Sequence, residues 1–347
     1  MTPNWYPDHP PIYDINKTYA ENAAEGPFFN GEIPKRPKIE KTFDFLGHEV
    51  NSRIGVPAGP LLNSNWISLA AKLGFDIPTY KTIRSEAHPG HGLPNVSYVD
   101  KHGNQIPDPK DLDRLSITNS FGMPSKSPDF LLEDIEKANR SLSKGQVMVV
   151  SVVGTPNRGV SFGEDFVRAA AIAKEAGAKI IEANFSCPNV GKSEGILYHN
   201  PETVHEYAKA ISKAIHPTPL ILKVGVFPNT HQMKNVFLAA ARGGARAICG
   251  INSVSMKVNP PLDKERTTSG ICGACIRQEA LHFILFAKKI IKENKLDLTL
   301  IGCGGIIRPE HFDEFFDAGA DISTSATGMM WDPYLAMRYH ARSISHP

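Results

Sequence analysis

A cysteine flanked by asparagines is the feature of this sequence that most strongly suggests chemistry. Cys187 lies just after the apolar run Ile180–Phe185, between Asn184 and Asn189. A reactive cysteine needs partial exposure and a tuned pKa, whereas most isolated cysteines are small buried hydrophobic residues. Asparagine amides donate and accept hydrogen bonds, so they suit a flat ring that carries amide groups. We therefore take Cys187 as a candidate reactive residue.

Two lysines lie at the ends of other apolar runs, Lys81 within Thr79–Ile83 and Lys223 within Leu220–Val224. A buried ammonium group needs an anionic partner, because an unpaired buried charge is costly. A reduced flavin ring, which is negative near N1, is a suitable partner for Lys223. The alternative is a carboxylate of the core, such as Glu182, and the residues alone leave both open.

A third group of residues is typical of a phosphate site. Gly304 and Gly305 would let backbone amides approach a phosphate closely, and Thr327 offers a hydroxyl donor. The helix predicted to start near Arg308-Pro309 would point its positive end inward. The alternative is that these glycines only turn the chain.

These residues need a scaffold, and the sequence alternates eight short apolar runs with eight stretches that have helix patterns. The predicted strands are Arg53–Pro57, Thr79–Ile83, Val147–Val153, Ile180–Phe185, Leu220–Val224, Ala247–Ile251, Leu298–Cys303 and Asp321–Ser325. The predicted helices are Ser64–Leu73, Pro128–Leu142, Gly163–Ala176, Pro201–Ile215, Gln232–Arg242, Arg277–Lys292, Pro309–Ala318 and Asp332–Ser343.

Strands that alternate with helices favour parallel pairing through right-handed crossovers. Eight such units predict an α/β protein with a (β/α)₈ TIM barrel, whose active site lies at the C-terminal ends of the strands. An open doubly wound sheet is the runner-up. The absence of Gly-x-Gly-x-x-Gly after the first run counts against a dinucleotide-binding version of it.

Two segments exceed this scaffold. Residues 1–45 form a proline-rich N-terminal extension, and we place the barrel in residues 46–347. Residues 84–127 separate the second strand from its helix. A connection of that length is unusual unless it serves as a lid or a binding loop.

The composition excludes several classes of protein. The 347 residues include 38 basic and 36 acidic ones, for a formal net charge of +2, which predicts neither nucleic acid nor an anionic membrane as a partner. Met1–Phe29 lacks the apolar core of a signal peptide, and Val147–Val153 is too short to span a bilayer. Five scattered cysteines favour a reducing compartment, so we expect a cytoplasmic protein.

No metal site is predicted. Cys272-Gly-Ala-Cys275 is a single C-x-x-C pair, and a zinc or iron–sulfur site needs further ligands at suitable spacing. The thirteen histidines form no H-E-x-x-H motif.

Three motifs resemble those of the cysteine-base class of dihydroorotate dehydrogenases, and the resemblance covers about Asn51 to about Tyr334. They are Asn184-Phe-Ser-Cys187-Pro-Asn189, Asn119-Ser-Phe-Gly122-Met123-Pro and Ile301-Gly-Cys-Gly304-Gly305-Ile. The first is the specific one, since the Gly-Gly motif is shared by many flavin barrels. The resemblance implies FMN as the cofactor and oxidation of dihydroorotate to orotate, in pyrimidine biosynthesis, as the reaction.

By this resemblance, Cys187 would remove the proton at C5 while hydride leaves C6 for flavin N5, and Lys223 would stabilise the reduced flavin. The implied substrate-binding residues are Lys81, Asn119, Phe121, Gly122, Met123, Asn184, Asn189, Asn252 and Ser253. The implied cofactor-binding residues are Ala58, Gly59, Lys81, Thr82, Asn184, Lys223, Ile251, Gly273, Gly304, Gly305, Ala326 and Thr327. A homodimer is implied by the resemblance only.

The chain departs from the family pattern in places. Ala326 stands where the family has glycine, Phe121 replaces a methionine, and Cys272 replaces the first of two glycines. The serine base and the apolar N-terminal extension of the membrane-bound class are absent, which disfavours quinone as the electron acceptor. Fumarate, or a nicotinamide route through a partner subunit, stays open.

Two other functions remain as alternatives. A dihydropyrimidine reductase acting on uracil or thymine would share the Ser-Cys-Pro loop. A non-catalytic barrel that binds a phosphate ligand would share the glycine loops.

Overall fold

The computed structural model describes residues 12–39, 41–156, 159–186 and 197–345. Their strands, in chain order from β1 to β14, are Phe43–Phe45, His48–Val50, Ile54–Val56, Ile77–Ile83, Val96–Tyr98, Ser116–Asn119, Val149–Val152, Ile180–Asn184, Leu220–Lys223, Ala247–Gly250, Val254–Lys257, Thr268–Gly273, Thr299–Cys303 and Ile322–Thr324. The helices, α1 to α10, are Tyr19–Glu25, Ser64–Lys72, Pro128–Arg140, Phe162–Glu175, Pro201–Ile215, Thr230–Arg242, Arg277–Glu293, Pro309–Ala318, Thr327–Trp331 and Leu335–Ser345.

Eight parallel strands form a closed barrel in the order β3, β4, β7, β8, β9, β10, β13 and β14. The last strand pairs back onto the first, with Ser323 opposite Ile54. This closure confirms the predicted TIM barrel and rules out the open sheet. Each predicted strand lies within two residues of a barrel strand, because runs that are buried on both sides read as continuous apolar stretches.

The helices surround the barrel and match the eight predicted ones, with one clear difference. The last predicted helix starts at Leu335 rather than Asp332, and the short α9 precedes it. Asp332 comes before Pro333, and a residue before proline is driven out of the helical conformation. Asp332 accordingly has φ −127° and ψ 82° and ends α9.

Above the mouth of the barrel lies a four-stranded antiparallel sheet, in the order β11, β12, β6 and β5. We call it the lid sheet. It is built from two excursions of the chain, one after β4 and one after β10. Strand β6 pairs with β12, which places Ile117 opposite Cys272. The sequence analysis singled out the first excursion but not the second, and it did not predict the sheet.

The other end of the barrel is closed by the hairpin β1–β2. Phe45 and Val50 are buried there against Ile77, Val149 and Ile180, which point downward from the barrel strands. The hairpin therefore covers this end of the barrel.

The described part of the N-terminal extension packs along the outside of the barrel. The Asn63 side-chain amide, at the start of α2, donates to the Ala23 carbonyl at 2.7 Å. The Tyr334 hydroxyl donates to the Glu32 carbonyl at 2.9 Å. Nearer the base, the Arg36 guanidinium binds both carboxylate oxygens of Asp76, at 2.6 and 2.5 Å. The extension is thus anchored at several levels of the barrel.

No helix in the described ranges combines the length and the apolar character that crossing a membrane requires.

Candidate active site

A cleft with about 1130 Å³ of empty space opens at the C-terminal ends of the barrel strands, beneath the lid sheet. All the described residues that the sequence analysis assigned to substrate or cofactor line it, namely Ala58, Gly59, Lys81, Thr82, Asn119, Phe121, Gly122, Met123, Asn184, Lys223, Ile251, Asn252, Ser253, Gly273, Gly304, Gly305, Ala326 and Thr327. Cys187 and Asn189 lie outside the described residues. The geometry therefore places one set of predicted residues around a single cavity.

A chain of buried polar groups supports Lys223 at the floor of this cleft. The Lys223 ammonium lies 4.0 Å from a Glu182 carboxylate oxygen, and both side chains are 3% exposed. The same oxygen accepts a hydrogen bond from the Ser151 hydroxyl at 3.0 Å, which in turn accepts one from Thr82 at 3.1 Å. The lysine is therefore paired with the carboxylate that the sequence offered as an alternative, and it also borders the cavity.

Amide side chains at the ends of β8 and β10, two strands on either side of β9, are joined to each other. The Asn252 side-chain amide donates to the Asn184 side-chain oxygen at 3.3 Å and to the Ser186 carbonyl. The Asn184 oxygen also accepts from the Ser186 amide at 3.2 Å. Ser186 is the last described residue before Cys187 in the chain. These bonds hold Ser186 close to Asn184 and Asn252, which line the cleft.

Glycine is required at particular positions after β13 and β14. Gly304 and Gly305 have φ values of 129° and 76°, and a Cβ at Gly305 would lie 2.5 Å from the Cβ of Arg277. A Cβ at Gly328 would lie 2.3 Å from the Ile306 carbonyl oxygen. The two loops thus pack closely and bring backbone amides to the cavity wall, together with the first turn of α9. This arrangement fits an anionic group such as a phosphate.

Comparison with known proteins agrees with this geometry. The model of the family described as dihydroorotate dehydrogenase matches residues 42–344. The chain belongs to the dihydroorotate dehydrogenase family. The resemblance detected in the three motifs is thereby confirmed.

The relatives cover most of the chain. A dihydroorotate dehydrogenase from Dictyostelium discoideum is 47% identical over 96% of this chain and 98% of its own. The catalytic subunit of dihydroorotate dehydrogenase B (NAD(+)) from Methanocaldococcus jannaschii is 26% identical over 76% of this chain and 78% of its own. Subunit PreA of the NAD-dependent dihydropyrimidine dehydrogenase from Escherichia coli strain K12 is 31% identical over 58% of this chain and 49% of its own.

A crystal structure of DHODH in complex with ferulenol, from Eimeria tenella, superimposes with a TM-score of 0.75. The superposition covers 94% of this chain and 89% of the Eimeria tenella chain, at 17% sequence identity. It supports the barrel fold.

The dihydroorotate dehydrogenase motifs do not account for Cys272, which also lines the cleft. Its sulfur accepts from the Asn119 side-chain amide at 3.5 Å and from the Thr327 hydroxyl at 3.4 Å. Burial raises the pKa of Cys272 to about 11, so it is a neutral thiol near pH 7. The sequence analysis discounted it as half of a C-x-x-C pair. Its position beside Gly273, a predicted cofactor residue, was the available signal.

Arg84 is a second residue that the motifs of the dihydroorotate dehydrogenase family did not single out. It is buried directly after β4, and its Nε donates to the Met123 carbonyl at 2.9 Å. Its Nη1 donates to the Thr155 hydroxyl at 2.7 Å. Gly122 and Met123 both have left-handed φ values, 74° and 48°, a conformation that neighbouring contacts must stabilise. Arg84 therefore holds the turn that forms one wall of the cleft.

Within the ranges that the structure describes, no group of three or more His, Cys, Asp and Glu side chains is arranged to hold a metal ion. Cys249, Cys272, Cys275 and Cys303 are free thiols.

Proposed function

We propose that this chain oxidises dihydroorotate to orotate, with FMN as the cofactor and Cys187 as the base. Membership of the family supports the reaction. The observation that supports the site most strongly is that the described residues of both predicted sets line one cleft. A base on one face of a substrate ring and a hydride acceptor on the other must be positioned together before two C–H bonds can be cleaved.

The residues around the cleft fit a flavin mononucleotide. Gly304, Gly305 and Thr327 lie where closely packed loops present backbone amides, which suits the phosphate. Lys223 supplies positive charge, partly balanced by Glu182. When bound, FMN would supply the acceptor for the hydride that leaves the substrate.

The amide side chains at the mouth suit the substrate ring. Asn119, Asn184 and Asn252 line the cleft, and their amides match the carbonyl and N–H groups of a dihydropyrimidine. Lys81 and the backbone at Gly122-Met123 would hold the substrate carboxylate. Cys187 would then take the proton from C5, and Asn189 would bind the ring beside it.

An anaerobic assay tests this proposal. The purified protein is loaded with FMN, mixed with dihydroorotate without oxygen, and followed by the bleaching of flavin absorbance. Fumarate and a nicotinamide are then offered in turn as acceptors. We expect reduction by dihydroorotate and the appearance of orotate. A protein that takes up no FMN would refute the assignment.

The same assay separates the alternatives. Turnover of uracil with a reduced nicotinamide, without turnover of dihydroorotate, would favour a dihydropyrimidine reductase. Retained flavin without reduction by any dihydropyrimidine would favour a non-catalytic barrel. The homodimer stays a prediction.

A further inference from the structure

Tyr13, in the N-terminal extension, lines the same cleft as the predicted substrate residues. Its side chain is 1% exposed. Its hydroxyl is buried, and no residue in the described ranges forms a hydrogen bond with it. A buried hydroxyl without a partner is costly, so tyrosine rather than phenylalanine at this position calls for a partner that enters the cleft.

The ring of Tyr13 is held in place by aromatic neighbours. It packs edge-on against Phe121, with ring centroids 5.8 Å apart. It also packs at a tilt against Trp66, with ring centroids 6.1 Å apart. Tyr19, also from the extension, packs against Phe121 as well, with ring centroids 6.1 Å apart. We call Tyr13, Tyr19, Trp66 and Phe121 the aromatic cluster. These contacts hold the ring at the wall of the cleft, so a ligand in the cleft is the available partner for its buried hydroxyl.

The neighbours of Tyr13 indicate which ligand its hydroxyl meets. Phe121 belongs to the Asn119–Met123 segment, which we assign to the substrate rather than to the phosphate of the cofactor. Burial raises the pKa of the Tyr13 hydroxyl well above its usual value, so it stays protonated and can donate. Dihydroorotate carries carboxylate and carbonyl oxygens that accept such a bond.

We propose that the Tyr13 hydroxyl donates a hydrogen bond to an oxygen of the bound substrate, so that the N-terminal extension completes the substrate site. This inference rests on the proposed function. It assigns to the extension a specificity contact that none of the three family motifs contains. The anchors at Asn63 and Tyr334 keep the extension, and with it Tyr13, in position.

The test uses the FMN-loaded full chain and the variant Tyr13→Phe, which keeps the aromatic contacts and removes only the hydroxyl. Tyr19→Phe is the matched control, because Tyr19 belongs to the same cluster but does not line the cleft. We measure the Kd of orotate from the change in flavin absorbance, the KM of dihydroorotate, the Kd of FMN and the melting temperature.

We expect Tyr13→Phe to raise the orotate Kd and the dihydroorotate KM about five- to twentyfold, the usual effect of losing one hydrogen bond. FMN affinity should stay at the wild-type value. The melting temperature without substrate should not fall, because Phe removes a buried hydroxyl that has no partner there. Tyr19→Phe should bind orotate normally. An unchanged orotate Kd in Tyr13→Phe, or a loss confined to FMN affinity, would overturn the proposal. If the wild-type protein fails to oxidise dihydroorotate, the proposed function fails first, and the two failures are thus distinguishable.

Discussion

At the scale of single residues, the pair of Lys223 and Glu182 carries the clearest energetic consequence. Both charges are almost completely buried, and breaking such a pair leaves an uncompensated charge inside the protein. The carboxylate offsets the lysine charge within the barrel, and the lysine places positive charge next to the cavity.

A double-mutant cycle tests this coupling. We expect Glu182→Gln and Lys223→Met each to lower the free energy of unfolding by about 3 kcal/mol. The double variant should lose clearly less than the sum, because it leaves no charge without a partner. Urea unfolding of the protein without cofactor measures all three. Additive losses would show that the two charges do not interact.

Cys187 carries the chemistry in the proposed mechanism, so its removal should separate binding from turnover. We expect Cys187→Ala to keep FMN but to lose at least about a hundredfold in the rate of flavin reduction at neutral pH, the usual contribution of a general base. Cys275→Ala is the control, because Cys275 does not line the cleft. Unchanged flavin reduction in Cys187→Ala would remove the thiol from the mechanism.

Sequence reasoning anticipated which residues line the cleft where those residues occur in a family motif or at a strand end. It found Lys223 and Asn252 because the end of each barrel strand can be located from its apolar run. It could not find Tyr13, since the extension has no strand or motif that relates it to the cleft. Cys272 reaches the site only through the pairing of β12 with β6, a contact between residues more than 150 positions apart.

At the scale of elements, the barrel strands and the lid sheet differ in how well the sequence reveals them. Strands buried on both sides are continuous apolar runs, and their positions were predicted within two residues. The lid strands are short and partly exposed, as in Val254–Lys257, where half-buried positions alternate with exposed ones and none is fully buried. The lid is therefore defined by tertiary pairing rather than by local pattern.

Arg84 connects the barrel to the lid, and its loss should affect the substrate more than the cofactor. We expect Arg84→Met to release the Met123 carbonyl and raise the KM of dihydroorotate about tenfold or more, because small displacements of positioning groups are costly. FMN affinity should change little. Lys126→Met, an exposed position in the same loop, is the control. Equal effects of the two variants on KM would contradict a specific tether.

At the scale of the whole molecule, one buried histidine predicts how stability depends on pH. His311 lies at the start of α8, where its Nδ1 accepts from the amides of Ile307 and Arg308 at 3.1 and 3.2 Å. Burial and the adjacent Arg277 charge lower its pKa to about 4. The unfolded chain takes up this proton near pH 6.5, so between about pH 6.5 and 4 the unfolded state binds more protons than the folded one.

Stability should therefore fall as the pH falls through that window, with His311 contributing up to about 1.4 kcal/mol per pH unit. The variant His311→Asn isolates this share, since its side-chain oxygen can accept from the same amides and does not titrate. We expect a flatter dependence of the unfolding free energy on pH in this variant. Equal slopes for the two proteins between pH 6.5 and 4 would show that His311 is not responsible.

The N-terminal extension links substrate binding to the stability of the barrel. The first and last barrel strands, β3 and β14, pair with each other. Helix α2 follows β3, and α10 follows β14 after the short α9. The residues just before α2 and α10 bind the same N-terminal segment. Asn63 binds it at one side, and Tyr334 binds it at the other, with the ring of Phe29 packed edge-on 5.4 Å away. A single protease cut in this N-terminal segment would weaken both contacts and release Tyr13 from the cleft. Substrate affinity and thermal stability would then decrease together.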